Sequence, residues 1–233
     1  MDSKPLSLDQ QVALETQRYM VKVYGWMFLG LVITGFVAWY TAEYTDFIDF
    51  ILGTKWMFFA LIIGQIVSVF ILVSQINRMS ASVATFVFLL YSMLFGLTMS
   101  MIFHVYENES IATTFLITAG TFGIMSAWGY TTKTDLTKWG NLLFMGLIAL
   151  VITGLVNTYF IESTTLHWIT SCAGVLIFVG LTAYDTQKIK NLNIIGNEGS
   201  DEDHKEAIMG ALTLYLDFVN LFLYLLRIFG RRK

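Results

Sequence analysis

Proline occurs once, at Pro5, and cysteine once, at Cys172. A lone cysteine excludes an intrachain disulfide, and inside an apolar stretch it reads as small apolar packing that carries no message about redox compartment. With the one proline outside every apolar stretch, no helix is broken by proline in the way many transporter helices are, so the helices are expected to be mostly continuous. Charge is also scarce: 13% of residues are Asp, Glu, Lys or Arg, against 56% hydrophobic. That balance and a positive mean hydropathy exclude a soluble domain of this size and place the chain in a bilayer. A net charge of -3 gives no basic excess for nucleic acid, which is not an expected partner. The first 22 residues are polar, and no small-residue cleavage site follows the first apolar run, so a cleaved signal peptide is not expected.

What the chain has in abundance is apolar runs. They extend from about Tyr24 to Tyr40, Met57 to Ser74, Val83 to Phe103, Ile111 to Tyr130, Leu142 to Phe160, Trp168 to Tyr184 and Ala207 to Phe229. Backbone groups in hydrocarbon must pair internally and no barrel-like alternation is present, so the fold class is an all-α polytopic membrane protein with seven transmembrane helices. The chain divides into an amino-terminal segment (1–22), one membrane domain (23–230) and a basic tail (231–233). Gly120, Gly123 and Ser126 in the fourth run suit close helix packing. Leu31 to Tyr40 and Leu150 to Tyr159 are alike, which reads either as a relic of duplication or as chance within a small apolar alphabet.

Orientation follows from where Lys and Arg lie. Lys4, Arg18, Lys22, Arg78, Lys133, Lys138, Lys188, Lys190 and Lys205 fall on one side. The other side holds Lys55 with Glu43, Asp46, Asp49, Glu107, Glu109 and Glu162. This asymmetry predicts a cytoplasmic amino terminus. Arg227, Arg231, Arg232 and Lys233 oppose it if the last run crosses completely, and a last segment that re-enters the cytoplasmic side would remove the conflict.

Two carboxylates interrupt the last two runs. An ionised Asp at the centre of a membrane helix costs roughly 2.5 to 3.5 kcal/mol on insertion scales, so it needs a partner, water or a proton. Asp185 ends the sixth run, and its plain reading is an interfacial acid paired with Lys188. Asp217 stands ten residues before Arg227, roughly 15 Å along a helix and about half the hydrocarbon core. Two close carboxyls share one proton and titrate as a pair: the shared proton ties two helices together, and full ionisation drives them apart unless a cation intervenes. The two acids differ in expected depth, so they meet only if the last helix sits low or water reaches Asp217. Arg78, between the second and third runs, reads either as a basic partner for a carboxylate or as an ordinary cytoplasmic anchor.

The motifs AYDTQKIK around Asp185, LTLYLDFVNLFLYLLRIFG around Asp217, YSMLFGLTMSMIF in the third run and TKTDLTKWG after the fourth resemble the Bax inhibitor-1, or transmembrane BAX inhibitor motif, family, and specifically its bacterial branch. The resemblance covers essentially the whole chain. It implies seven helices with the last one central and wrapped by two three-helix groups, and a calcium leak across the membrane that responds to pH. It makes Asp185 and Asp217 the proton sensor and gate, with transient calcium contacts at the pair, and Arg78, Tyr184 and Asn220 supporting residues. No cofactor is implied; calcium is the permeant ion, and the partners are the lipid bilayer, calcium and protons. Two departures stand out. Ser100-Met101-Ile102 replaces the Gly-Pro pair of many relatives, and the second run offers Gln65 and no acid.

Other functions fit the same residues less well. Intramembrane aspartyl proteases carry Tyr-Asp and Gly-x-Gly-Asp on adjacent helices; Tyr184-Asp185 matches the first, but Leu214-Tyr215-Leu216 replaces the glycines before Asp217 and the Pro-Ala-Leu element is absent. His104, His167 and His204 lack the spacing of a zinc site. The acidic run Glu198 to Glu206 lacks the glycine and terminal glutamate of an EF-hand and reads as a solvated linker. A membrane adaptor or stress-regulatory interaction protein without flux is the main alternative, since animal members of the family are linked to cell-death control. The short polar start fits a bacterium. The expectation is therefore a non-enzymatic, pH-sensitive calcium leak channel of the bacterial inner membrane.

Overall fold

The computed structural model describes residues 7–44 and 55–233. Lys4, Pro5, Asp46 and Asp49, which entered the sequence reading, lie outside the described residues. All regular elements described are helical: α1 Leu8–Tyr44, α2 Lys55–Gln75, α3 Ala81–Met99, the short α4 Ile102–Val105, α5 Asn108–Thr131, α6 Thr137–Val156 with a π-turn at Asn157–Ile161, α7 Thr164–Leu192 and α8 Asp201–Phe229. Seven spans among the described residues are long and apolar enough to cross a membrane, with α3 and α4 together forming the third. The chain is an all-α polytopic membrane protein.

Helix α1 reaches back through most of the polar start. Ser7 Oγ accepts from Gln10 N (3.3 Å) while Gln10 Oε1 accepts from Ser7 N (3.0 Å), a reciprocal capping box that satisfies two donors otherwise left open at a helix start. Ser80 caps α3 through Val83 N, and Ser200 caps α8 through Asp203 N at 3.1 Å, where Asp201, Glu202 and Asp203 also favour the positive end of the helix dipole.

The expectation of continuous helices fails in the third span without any proline. Ser100 turns its hydroxyl onto Leu97 O (2.6 Å), a local bond that competes with the helical ladder, and α3 stops at Met99 before α4 resumes at Ile102.

Contacts divide the chain into two units. The first holds α1, α2, α3 and Ile189–Leu212, the end of α7 and the start of α8. Its helices touch at glycines: a Cβ on Gly30 would meet the Phe88 ring at 2.8 Å, and one on Gly96 would meet Thr34 O at 2.8 Å. Gln65, the polar residue of the second span, donates to Thr98 Oγ1 and Leu94 O and so joins α2 to α3. The acidic run is not a solvated linker. Asp203 is 3% exposed and pairs with Lys22 Nζ at 2.6 Å, Glu198 pairs with Arg18 at 3.3 Å, and Asp201 Oδ1 accepts from Ala81 N at 3.0 Å. The partners lie far away in sequence, so the run itself carried no sign of them.

The second unit holds Ile102–Lys188 and Thr213–Lys233. Phe218 and Phe222 of α8 meet Phe115 edge-on, and Phe218 meets Phe122 the same way, at centroid distances of 5.4 to 6.2 Å. Helix α8 is the most enclosed span: 67% of its most apolar stretch is buried, against 11–33% in the others. Its span carries Asp217 and Asn220, and polar groups at membrane depth face protein and not lipid, which suits the inner position expected of the last helix. It is one uninterrupted helix to Phe229, and the tail after it is stitched to the loop that follows the third span. Glu107 N donates to Arg231 O (3.0 Å), Lys233 N to Val105 O (3.0 Å), and Lys233 Nζ to Phe103 O (2.7 Å). The last segment does not re-enter: the basic tail shares its side with Glu107.

Candidate functional site: an acid pair between the sixth and seventh spans

Asp185 lies in α7 and Asp217 in α8. Asp217 is 5% exposed and Asp185 is half-buried, and their side chains lie within hydrogen-bonding reach of each other. The difference in depth inferred from the sequence does not keep them apart.

Why Asp185 faces Asp217 follows from its neighbours. Successive residues of a helix point about 100° apart. Across Ala183–Gln187, four of five positions are held by α5, α6 and the loop between them. The Ala183 backbone rests on Gly129, where a Cβ would run into its carbonyl. Tyr184 lays its ring on Gly140. Thr186 Oγ1 bonds Ser126 Oγ at 2.9 Å, and both residues are buried. Gln187 accepts from Leu136 N (2.9 Å) and donates to Thr134 O (2.8 Å). Asp185 is the position left over, and it meets α8. Two aromatic contacts hold α8 against α7 further along: Tyr224 covers Gly174, with 2.6 Å from a built Cβ to the ring, and stacks on Phe178 at 5.7 Å.

The chemistry of the contact lies in its protons. Asp217 Oδ2 is buried and no N–H or O–H of the described residues reaches it. The group beside it is another carboxyl, which donates only when it carries a proton. Two ionised carboxylates would instead face each other unpaired. At an effective dielectric near 20, two unit charges 4 Å apart repel by about 4 kcal/mol.

Other residues expected at the site have contacts of their own. Asn220 Nδ2 donates to Leu216 O of its own helix at 2.8 Å and makes no bond to either carboxyl. Tyr184 packs on Gly140, and Lys188 lies 5.8 Å from its ring centroid instead of forming an ion pair with Asp185. Arg78 belongs to the first unit, on the exposed turn after α2, where its N–H meets Gln75 O at 2.8 Å; among the described residues it forms no ion pair. Gly120 and Gly123 are exposed with nothing near a built Cβ, so of the three small residues expected to pack closely only Ser126 does. Gln187 and Gly129, which shape the site, were not singled out from the sequence. An interior helical glycine is a signal of close approach, because it costs about 1 kcal/mol relative to Ala. Gly120 and Gly123 carry the same signal and face outward. Among the described residues, no group of three or more His, Cys, Asp and Glu comes together as a metal site.

Comparison with known proteins agrees in length and location. A family model described as Inhibitor of apoptosis-promoting Bax1 matches residues 16–233. The chain is 51% identical over 218 residues to Inner membrane protein YbhL of Escherichia coli (strain K12), covering 93% of both chains. It is 43% identical over 228 residues to an uncharacterized protein of Borreliella burgdorferi, covering 98% of both. An uncharacterized membrane protein of Streptococcus pyogenes serotype M1 is 34% identical over 217 residues, covering 92% of this chain and 93% of the relative.

Proposed function

Because the chain belongs to the Bax inhibitor family, described as Inhibitor of apoptosis-promoting Bax1, we propose that it is a pH-sensitive calcium leak channel of a bacterial inner membrane, gated by the protons shared between Asp185 and Asp217. The observation that carries the reading is the contact itself: a buried carboxylate oxygen whose neighbour is a second carboxyl, on a second helix. With one proton between them the acids attract and hold α7 on α8. Without it they repel, and the helices separate or a cation enters between them. Oxygen-only donors suit a hard divalent cation, which makes the pair a transient calcium contact and calcium the permeant ion.

The membrane assignment rests on seven apolar spans and on the inner-membrane name of the Escherichia coli relative. A cytoplasmic amino terminus remains the reading of the Lys and Arg distribution. Even with Arg227, Arg231, Arg232 and Lys233 counted on the outer side with Lys55, nine basic residues lie on the cytoplasmic side against five.

Proteolysis by the same two acids is disfavoured by access. A scissile peptide has to reach both carboxyls, and Asp217 is sealed among Leu214, Tyr215 and Phe218, all 4% exposed or less. On this reading the acids act as a sensor and not as a catalyst.

The test is calcium flux into liposomes carrying the purified protein, measured across pH for the native chain, Asp185→Asn and Asp217→Asn. The expected result is a pH-dependent leak that becomes flat in both variants. Retention of the native pH profile by both would falsify the sensor, and an inert native protein would leave the adaptor reading instead.

A further inference from the structure

The amide of Gln187 is used at both ends, and both bonds go to one loop. Its Oε1 accepts from Leu136 N at 2.9 Å and its Nε2 donates to Thr134 O at 2.8 Å. The loop between α5 and α6 therefore hangs on a side chain two residues past Asp185. Leu136 is 4% exposed, so its N–H has no water to fall back on, while the flanking Lys133, Asp135 and Lys138 are exposed. On the far side of the same loop, the first turn of α6 places Gly140 under the Tyr184 ring. Loop and helix are thus joined at Tyr184 and at Gln187, the residues on either side of Asp185 and Thr186.

We propose that Gln187 is a positioning residue for the acid pair: by clasping Thr134 and Leu136 it sets the rotation of α7 that turns Asp185 onto Asp217. The inference rests on the reading of the pair as the working site. A helix is stiff over one turn, so the seats of Ala183, Tyr184, Thr186 and Gln187 together determine where the Asp185 carboxyl points. The seats of Ala183 and Tyr184 are van der Waals contacts, and the Thr186 bond to Ser126 is single. Gln187 alone makes two directional bonds, and it makes them to backbone, which has no rotamer through which to relax. Releasing it frees α7 to turn about its axis, and the group that feels the turn is the one without a seat, Asp185. The charged groups acting on Asp185 are Asp217 from α8 and Lys188 from α7 itself; Asp217 in turn faces Asp185. Gln187 is neutral, so its removal changes the pair through geometry and not through added or lost charge.

The experiment uses the full-length protein in detergent and in liposomes. Gln187→Met keeps the volume and removes both bonds. Two quantities are read: hydrogen exchange at the Leu136 amide, and the infrared titration of the carboxyl pair, identified by its loss in Asp185→Asn. The expected result is roughly fivefold or greater loss of protection at Leu136, with the titration midpoint of the pair displaced by about half a pH unit or more. Gln187→Glu retains the acceptor for Leu136 N–H and is expected to keep most of that protection while losing the Thr134 bond. A freed loop with an unmoved midpoint overturns the proposal, because Gln187 would then hold the loop and nothing else.

If Gln187→Met does not fold, the native protein provides the measurement. Coupling between sites is reciprocal, so protection of the Leu136 amide must change across the titration of the pair. Protection that follows only the intrinsic exchange rate across that range overturns the proposal. Calcium flux is scored separately: a midpoint that moves with Gln187 in a protein that leaks no calcium supports the clasp and rejects the channel.

Discussion

The carboxyl of Asp217 meets that of Asp185 with its Oδ2 buried and beyond the reach of any described N–H or O–H. The contact is thus a hydrogen bond on condition of a proton. Asp217→Asn supplies an N–H donor in its place, so it is expected to hold α7 on α8 at alkaline pH, where the native pair has lost its shared proton and repels. The check is the melting temperature in detergent across pH. The native value should fall on the alkaline side relative to that of the Asn variant, and a constant difference between the two curves would count against the shared proton.

Gly129 and Gly123 stand six residues apart on α5 and make opposite predictions. A methyl group on Gly129 would enter the Ala183 backbone, so Gly129→Ala is expected to destabilise by about 1 to 3 kcal/mol, the usual cost of overpacking. Gly123 has open space, and Gly123→Ala should be neutral or stabilising by roughly 0.5 to 1 kcal/mol through helix propensity. Chemical unfolding of both variants in detergent decides between them.

Two ion pairs join α1 to the segment before and within the start of α8. Arg18 and Glu198 have side chains 64% and 38% exposed, and Arg18→Ala is expected to cost at most about 1 kcal/mol. Asp203 has only 4% of its side chain exposed, so Lys22→Met leaves a buried carboxylate with Gly199 N as its remaining donor. Because Lys22 itself is 35% exposed, solvent softens the loss, and about 1 to 3 kcal/mol is expected. Equal effects of the two substitutions in unfolding experiments would contradict this ranking.

Asp135 opens α6 by accepting from Thr137 N at 2.9 Å. The bonds from Thr137 hold its carboxyl below the usual carboxylate range. A folded-state value below the unfolded one stabilises above the unfolded pKa, and that stability is lost as pH falls through the folded value. The start of α6 should loosen on acidification past the ordinary carboxylate range, and Asp135→Ala should loosen it at neutral pH. Hydrogen exchange at Thr137 reports both, and unchanged protection in Asp135→Ala would rule the cap out.

The tail and the loop after the third span share a side. In a Cys172→Ser background, Glu107→Cys and Lys233→Cys should be labelled by a membrane-impermeant thiol reagent from the same face of the membrane. Removal of residues 231–233 should raise exchange at Val105 to Glu107, whose neighbours it takes away. Labelling from opposite faces would break the assigned path of the last helix.

Much of this was legible in advance. The apolar runs place all seven spans to within a turn or two at most ends, because hydrocarbon length and hydropathy are local properties. The start of α1 was legible as well, in the Ser7-x-x-Gln10 pattern, yet the polar composition of the segment masked it. The break at Ser100 was not legible: a serine hydroxyl bonds locally to the ladder or outward, and composition does not say which. The burial of Asp203 was hidden for another reason, since its partner Lys22 is 181 residues away.

By itself the sequence determined that this chain lives in a bilayer, that it crosses as helices, and that two carboxyls interrupt its last two spans. Those are consequences of transfer energies summed over neighbouring residues. Only the tertiary structure decided that the carboxyls meet, that Asn220 bonds within its own helix, and that Gln187 and Gly129 shape the contact. The direction of a side chain on a helix depends on which faces the neighbouring helices occupy, and those faces come from residues far apart in the chain.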